Sequence, residues 1–141
     1  MNPDMDLNID WQAYDAARAR LAGDFIRQFG YLVEDGPLAV RQVEDALRIG
    51  SAAAMIMPAE RLAEEAEMFG AMGLARLSGT IADLADRCVR HRYRPDELLS
   101  YVVRLRPLFF ASIARLERET SPLVTRPRKA EKMALDRPNL V

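Results

Sequence analysis

The sequence predicts an all-α fold, and three features carry that expectation. Apolar residues recur at intervals of three and four along most of the chain, as they do in helices that bury one face. No run alternates apolar and polar residues for long enough to make a half-buried strand. Glycine and proline fall between the periodic segments, at Gly23, Gly36-Pro37, Gly50, Gly70 and Pro95, where they end or begin helices.

In chain order, Asn8 or Asp10 can cap a first helix reaching about Ala22, with Trp11, Tyr14, Ala17 and Leu21 on its buried side. Gly23-Asp24 opens a second helix from Phe25 to Val33, which ends at Asp35-Gly36. Pro37, whose fixed φ suits a first helical turn, starts the next segment. There Leu38, Val40, Val43, Ala46 and Leu47 recur at helical spacing, and Gly50 closes the run.

The stretch from Pro58 to Ala71 anchors the chain. Ala52, Met55, Ile56, Ala59, Leu62, Ala63, Ala66 and Phe69 share one helical face. The opposite face holds Glu60, Arg61, Glu64, Glu65 and Glu67. Steps of four and then three residues stack Glu60, Glu64 and Glu67 into an exposed carboxylate stripe. Like charges at that spacing cost a helix roughly 0.2–0.5 kcal/mol per pair, so helix propensity does not ask for them. Pro58 either opens this helix or kinks one that begins near Ser51. Gly70 either releases the chain from the helix or lets another backbone come close.

Beyond Ala71, the residues Leu74, Leu77, Ile81, Leu84 and Cys88 mark a long helix to about Val89. A short basic connection, Arg90-His91-Arg92-Tyr93-Arg94, leads to Pro95-Asp96-Glu97, a helix start with acids near the positive end of the dipole. Leu98, Val102, Leu105, Phe109, Ile113 and Leu116 define the last helix, which Pro107 is expected to kink or divide. Ser121-Pro122 stops it. Residues 121–141 are a basic, proline-containing tail without clear periodicity, expected to be loosely held, and the folded domain is placed at residues 1–120.

A chain of 141 residues is long enough for one domain with a single core. Half of it is hydrophobic and its formal net charge is −1, the composition of a soluble globular protein with no case for nucleic acid. The one cysteine, Cys88, excludes an intrachain disulfide, fits a reducing cytoplasm and sits where a helix would bury it. The acidic start, Met-Asn-Pro-Asp-Met-Asp, has neither the basic region nor the apolar core of a signal peptide. No run approaches the ~18 apolar residues that span a membrane. A cytoplasmic protein is expected.

His91 is the sole histidine, so neither a His-based metal cluster nor a Ser-His-Asp triad can be assembled within one chain. There is no P-loop and no Gly-rich dinucleotide fingerprint. A carboxylate stripe facing out on one helix also lacks the inward Glu and Glu-x-x-His pairs of di-iron bundles. No metal or cofactor is therefore expected. The Arg90–Arg94 cluster and the tail residues Arg126, Arg128, Lys129 and Lys132 read either as contacts for phosphate and acidic surfaces or as solvated charges.

The run Ala59-Glu60-Arg61-Leu62-Ala63-Glu64-Glu65-Ala66-Glu67-Met68-Phe69-Gly70-Ala71-Met72-Gly73-Leu74 resembles the pattern A-H-x-L-K-G-x-A-x-x-[FL]-G-A-x-x-L of histidine-containing phosphotransfer (HPt) domains. The spacing agrees at Ala59, Leu62, Ala66, Phe69, Gly70, Ala71 and Leu74. Upstream, Ala46-Leu47-Arg48-Ile49-Gly50 stands where that family often has A-L-x-x-G, and Asp10-Trp11 with Phe25 and Phe29 is also similar. The likeness extends from Asp10 to about Glu119. It implies an antiparallel four-helix bundle with an additional N-terminal helix, working in two-component phosphorelay signalling.

The departures alter what the resemblance implies about chemistry. Glu60 occupies the phosphoacceptor histidine position, Ala63 replaces the lysine and Glu64 the glycine. A carboxylate forms only an acyl phosphate, without an imidazole leaving group, so ordinary phosphotransfer is lost. What remains is a binding or regulatory module for a response-regulator receiver or a sensor kinase, using Glu60, Arg61, Glu64 and Glu67 as its contact surface. The alternative is a helical scaffold or homo-oligomer with no phosphorelay role.

Overall fold

Asp10 starts the first helix by capping it. Its carboxylate accepts hydrogen bonds from the amides of Gln12 and Ala13, at 3.0 and 3.2 Å. The computed structural model describes residues 7–120. Within them, helix α1 spans Trp11–Leu21, and a 3₁₀ turn, Ala22–Asp24, redirects the chain into α2, Phe25–Ile49. Helices α3 (Ala52–Met68) and α4 (Met72–His91) follow, then a second 3₁₀ turn, Pro95–Leu98, and α5, Leu99–Thr120. The fold is all-α, and the sole β-type pairing among the described residues is an isolated bridge between Ile9 and Ala71. No described helix is long and apolar enough to cross a membrane.

Short links between successive long helices make neighbours run antiparallel. Helix α2 packs on α3, α3 on α4, α4 on α5, and α5 returns to α2, so four helices close a bundle around one core. Leu32, Val40, Met55, Leu62, Leu74, Ile81, Leu105 and Phe109 are fully buried there. The shorter α1 lies against α3 and α2. Where it does so, Tyr14, Phe25, Phe29 and Phe69 form an aromatic cluster. The ring of Phe69 meets Phe25 and Phe29 edge-on, at 5.6 and 5.4 Å between centroids.

The turn between α3 and α4 is fastened to the segment that precedes α1. Asp10 donates its amide to the carbonyl of Gly70 at 2.7 Å, and the amides of Met72 and Gly73 reach the carbonyls of Asn8 and Leu7 at 3.2 and 3.0 Å. Gly70 is left-handed, with φ +83°, and a Cβ there would strike the Asp10 carbonyl oxygen. Both roles open to this glycine in the sequence are thus filled at once: it releases the helix and admits a second backbone.

The break expected at Asp35-Gly36-Pro37 does not occur, and α2 runs through it as one helix. Pro37 removes a single amide, the partner of the Val33 carbonyl. The buried stripe Phe29, Leu32, Gly36, Val40, Val43 continues across it without a change of register. Gly36 itself lies under the ring of Phe109 on α5, which fills the space that a Cβ would take. Packing against α5 therefore outweighs the local break. In that register Leu38 points outward and is 52 % exposed, although helical spacing from Pro37 places it inside. Trp11, Leu21 and Leu47 are partly buried against the core.

The other two internal prolines behave alike. Helix α3 begins at Ala52 under a cap from Ser51, whose Oγ accepts from the Ala54 amide at 3.1 Å, and buried Pro58 lies inside it. Pro107 lies within α5 and does not divide it. Helix α4 outlasts Val89 and takes in Arg90 and His91, residues that the sequence assigns to a connection. Arg92 ends it in a left-handed conformation, φ +59°, with its amide donating to the carbonyls of Cys88 and Val89. The acidic start Met1–Asp6, the Ser121-Pro122 stop and the tail with Arg126, Arg128, Lys129 and Lys132 lie outside the described residues.

Three helical glycines separate packing from propensity. A Cβ at Gly30 or Gly79 would meet nothing within 4 Å, whereas one at Gly36 would meet Phe109. Gly30→Ala and Gly79→Ala are expected to raise stability by about 0.5–1 kcal/mol each. Gly36→Ala is expected to lower it by about 1–3 kcal/mol, because Phe109 is buried and cannot swing clear. Urea unfolding of the three variants decides the matter, and a gain at Gly36 would show that α2 and α5 part easily.

Candidate functional site

The Ser51 cap sets the register of α3, and that register sorts its side chains. Met55, Pro58, Ala59, Leu62 and Ala66 turn into the bundle. Glu60, Arg61, Glu64 and Glu67, the four expected contact residues, all turn to solvent. Met57 and Met68 flank them at either end, 68 % and 38 % exposed. None of the four charged residues forms a salt bridge with another described residue. The face is therefore an uncompensated acidic strip with one arginine in it.

Glu65 departs from the arrangement read in the sequence, which groups it with the exposed acids. It is partly buried at the border with α2. Its carboxyl is held above the usual 4.5, chiefly by burial; Arg61 opposes that shift, while Asp35 on α2 and the neighbouring Glu64 add to it. The cause is angular. One residue beyond Glu64 the helix has turned about 100°, enough to carry Glu65 from solvent towards its neighbour.

Beside the strip, α2 and α3 leave a groove of about 420 Å³. Ile49 and Met57, 70 % and 68 % exposed, form its apolar wall with Ala54 and Pro58, and Asp45 and Arg61 stand at its rim. Arg61 thus belongs to both the strip and the groove.

The remaining candidates lie elsewhere. His91 closes α4, exposed and stacked on Tyr93 at 5.8 Å, while Glu60 sits midway along α3. Two arginines of the same basic run are already paired, Arg90 with Asp86 at 3.0 Å and Arg94 with Asp96 at 3.5 Å. Cys88 is fully buried, as its position suggested. Burial pushes its thiol up, with Glu97 adding to the effect, so it is a packing residue rather than a nucleophile. Among the described residues no group of His, Cys, Asp and Glu is placed to hold a metal ion.

Two features escaped the sequence reading. Arg106 forks onto Glu44 across α2 and α5, at 3.0 and 2.8 Å, from a position 62 residues away. A cleft between α4 and α5 gathers Arg76, Thr80, Tyr101 and Arg104. Neither has a local signature, since each is made by helices that meet only in the folded chain.

No protein-family model matches the chain, and no curated protein sequence or solved structure matches it significantly. The class supported is that of an all-α helical bundle with an exposed acidic strip.

Glu65 offers a pH test of this face. A raised carboxyl binds its proton more tightly folded than unfolded. Its cost to stability is therefore absent below the usual carboxylate range and complete above the raised value. Glu65→Gln is expected to raise the melting temperature at pH 7 and to leave it unchanged below about pH 4. A difference that persists at the acid end would place the effect in packing instead.

Proposed function

We propose that the protein is an HPt-like docking module of two-component signalling, which engages a receiver or a sensor kinase through the solvent face of α3 and carries no phosphate itself. The observation that carries this reading is Glu60, a carboxylate exposed midway along a bundle helix at the position matching the phosphoacceptor histidine. The four-helix order and the Phe69-Gly70-Ala71 turn after that helix support the likeness.

The chemistry removed is specific. An imidazole nitrogen accepts a phosphoryl group and returns it, whereas a carboxylate would yield a mixed anhydride. Ala63 supplies no cation, and Glu64 adds charge where the family leaves room with glycine. A binding surface survives those losses. The phosphorylation site of a receiver is acidic, so Glu60, Glu64 and Glu67 would meet like charge there. Arg61 and the apolar groove around Ile49 and Met57 supply the attraction, in the usual form of an apolar centre with a charged rim.

Incubation with phosphorylated receivers or kinases is expected to leave the protein free of labelled phosphate. Label that survives Glu60→Gln but is lost in His91→Ala would overturn the reading. Replacing Glu60, Glu64 and Glu67 together by Gln is expected to keep the fold or firm it slightly, because like-charge pairs disappear. The same triple variant should bind more tightly to an acidic receiver edge and more weakly to a basic surface. An affinity that the triple substitution leaves unchanged across a range of salt would reduce the strip to a solvated face.

A further inference from the structure

The cleft between α4 and α5 has a volume of about 190 Å³ and shares no residue with α3. Leu77 and Leu108, almost fully buried, make its floor. Its walls carry Arg76 and Thr80, one turn apart on α4, and Tyr101 and Arg104, one turn apart on α5. Among the described residues, no carboxylate lines it. Neither arginine has a salt bridge with a described residue.

Arg106 shows what this fold does with a guanidinium set between two helices: it receives the forked carboxylate of Glu44. Arg76 and Arg104 receive nothing of the kind. A guanidinium stays charged at any physiological pH and offers a planar fork of donors. Two of them, brought to one cleft from opposite walls, repel each other over an apolar floor. An anion between them converts that repulsion into paired charge-assisted hydrogen bonds.

We infer that this cleft is a binding site for phosphate or a small phosphomonoester. Two arginines and two hydroxyls approach from both walls, which suits the several oxygens of a tetrahedral anion better than the flat pair of a carboxylate. Two guanidinium charges balance the −1.5 to −2 that a phosphomonoester carries at about pH 7. At roughly 30 Å³ per water, the space holds a phosphoryl group and a few further atoms. The first amides of α4 do not make the site: those of Met72 and Gly73 already donate to Asn8 and Leu7. Recognition falls to the side chains. The cleft takes its anion whether or not α3 docks a receiver.

The test is a titration of the full chain with inorganic phosphate, then glycerol phosphate, followed by amide chemical shifts, with acetate at matched ionic strength as the control. Saturable binding of one equivalent is expected, with shifts confined to the turns around Gly73–Thr80 and Tyr101–Leu108. Arg76→Gln and Arg104→Gln should each lower the affinity about tenfold, the size of one lost charge-assisted hydrogen bond. Arg41→Gln, an exposed change on α2 outside the cleft, should leave it unaltered. Equal shifts with acetate, equal weakening by Arg41→Gln, or shifts scattered over every exposed arginine would overturn the assignment. The shift map of the unsubstituted protein is decisive by itself, whether or not any variant folds.

Discussion

The backbone joint between residues 7–10 and the turn after α3 holds the bundle's first half in place. Gly70 makes it possible by taking a left-handed conformation and presenting no side chain to the Asp10 carbonyl. Three hydrogen bonds then tie Leu7, Asn8 and Asp10 to Gly70, Met72 and Gly73. On one side of the joint, the Asp10 carboxylate caps α1. On the other, Phe69 packs its ring edge-on against both Phe25 and Phe29 of α2. A single turn thus sets where α1 starts, how α3 gives way to α4 and which end of the core is aromatic.

The acidic strip on α3 is tolerated because that helix is held from its other face. Met55, Leu62 and Ala66 are buried, and the transfer of such side chains from water outweighs the few tenths of a kcal/mol that each like-charge pair costs. Stability does not select Glu60, Glu64 and Glu67, and neither does capping. Glu65 shows the boundary of that tolerance, since burial and Asp35 together make its charge less welcome. Charges that the fold does not use are free to serve a surface, which is the physical ground for reading the strip as a contact face.

Much of the architecture was legible in local chemistry. Ser51 and Asp10 are caps that act within three residues, and they decide two starts that spacing had left open, Asp10 over Asn8 and Ser51 over Pro58. The exposed stripe followed from spacing alone. The continuity of α2 did not, because Gly36-Pro37 reads as a break until Phe109 arrives from the far end of the chain to cover the glycine. Leu38 was misplaced for the same reason, since an unbroken helix rotates it outward. The pairing of Glu44 with Arg106 and the meeting of Arg76 with Arg104 are likewise products of tertiary contact, with no pattern in either segment to announce them. Glu65 was misjudged by the angle of one residue, the resolution at which helical spacing stops being informative.

Pro37, Pro58 and Pro107 stand inside α2, α3 and α5. An internal proline costs an isolated helix about 3 kcal/mol, so none of these three segments is a good helix by itself. Their continuity belongs to the assembled bundle. For a chain emerging from the ribosome, this orders events. The contact of Phe109 with Gly36 can form only after α5 has been synthesised. Helices α2 and α3 can meet first, and α5 then covers the glycine that precedes Pro37.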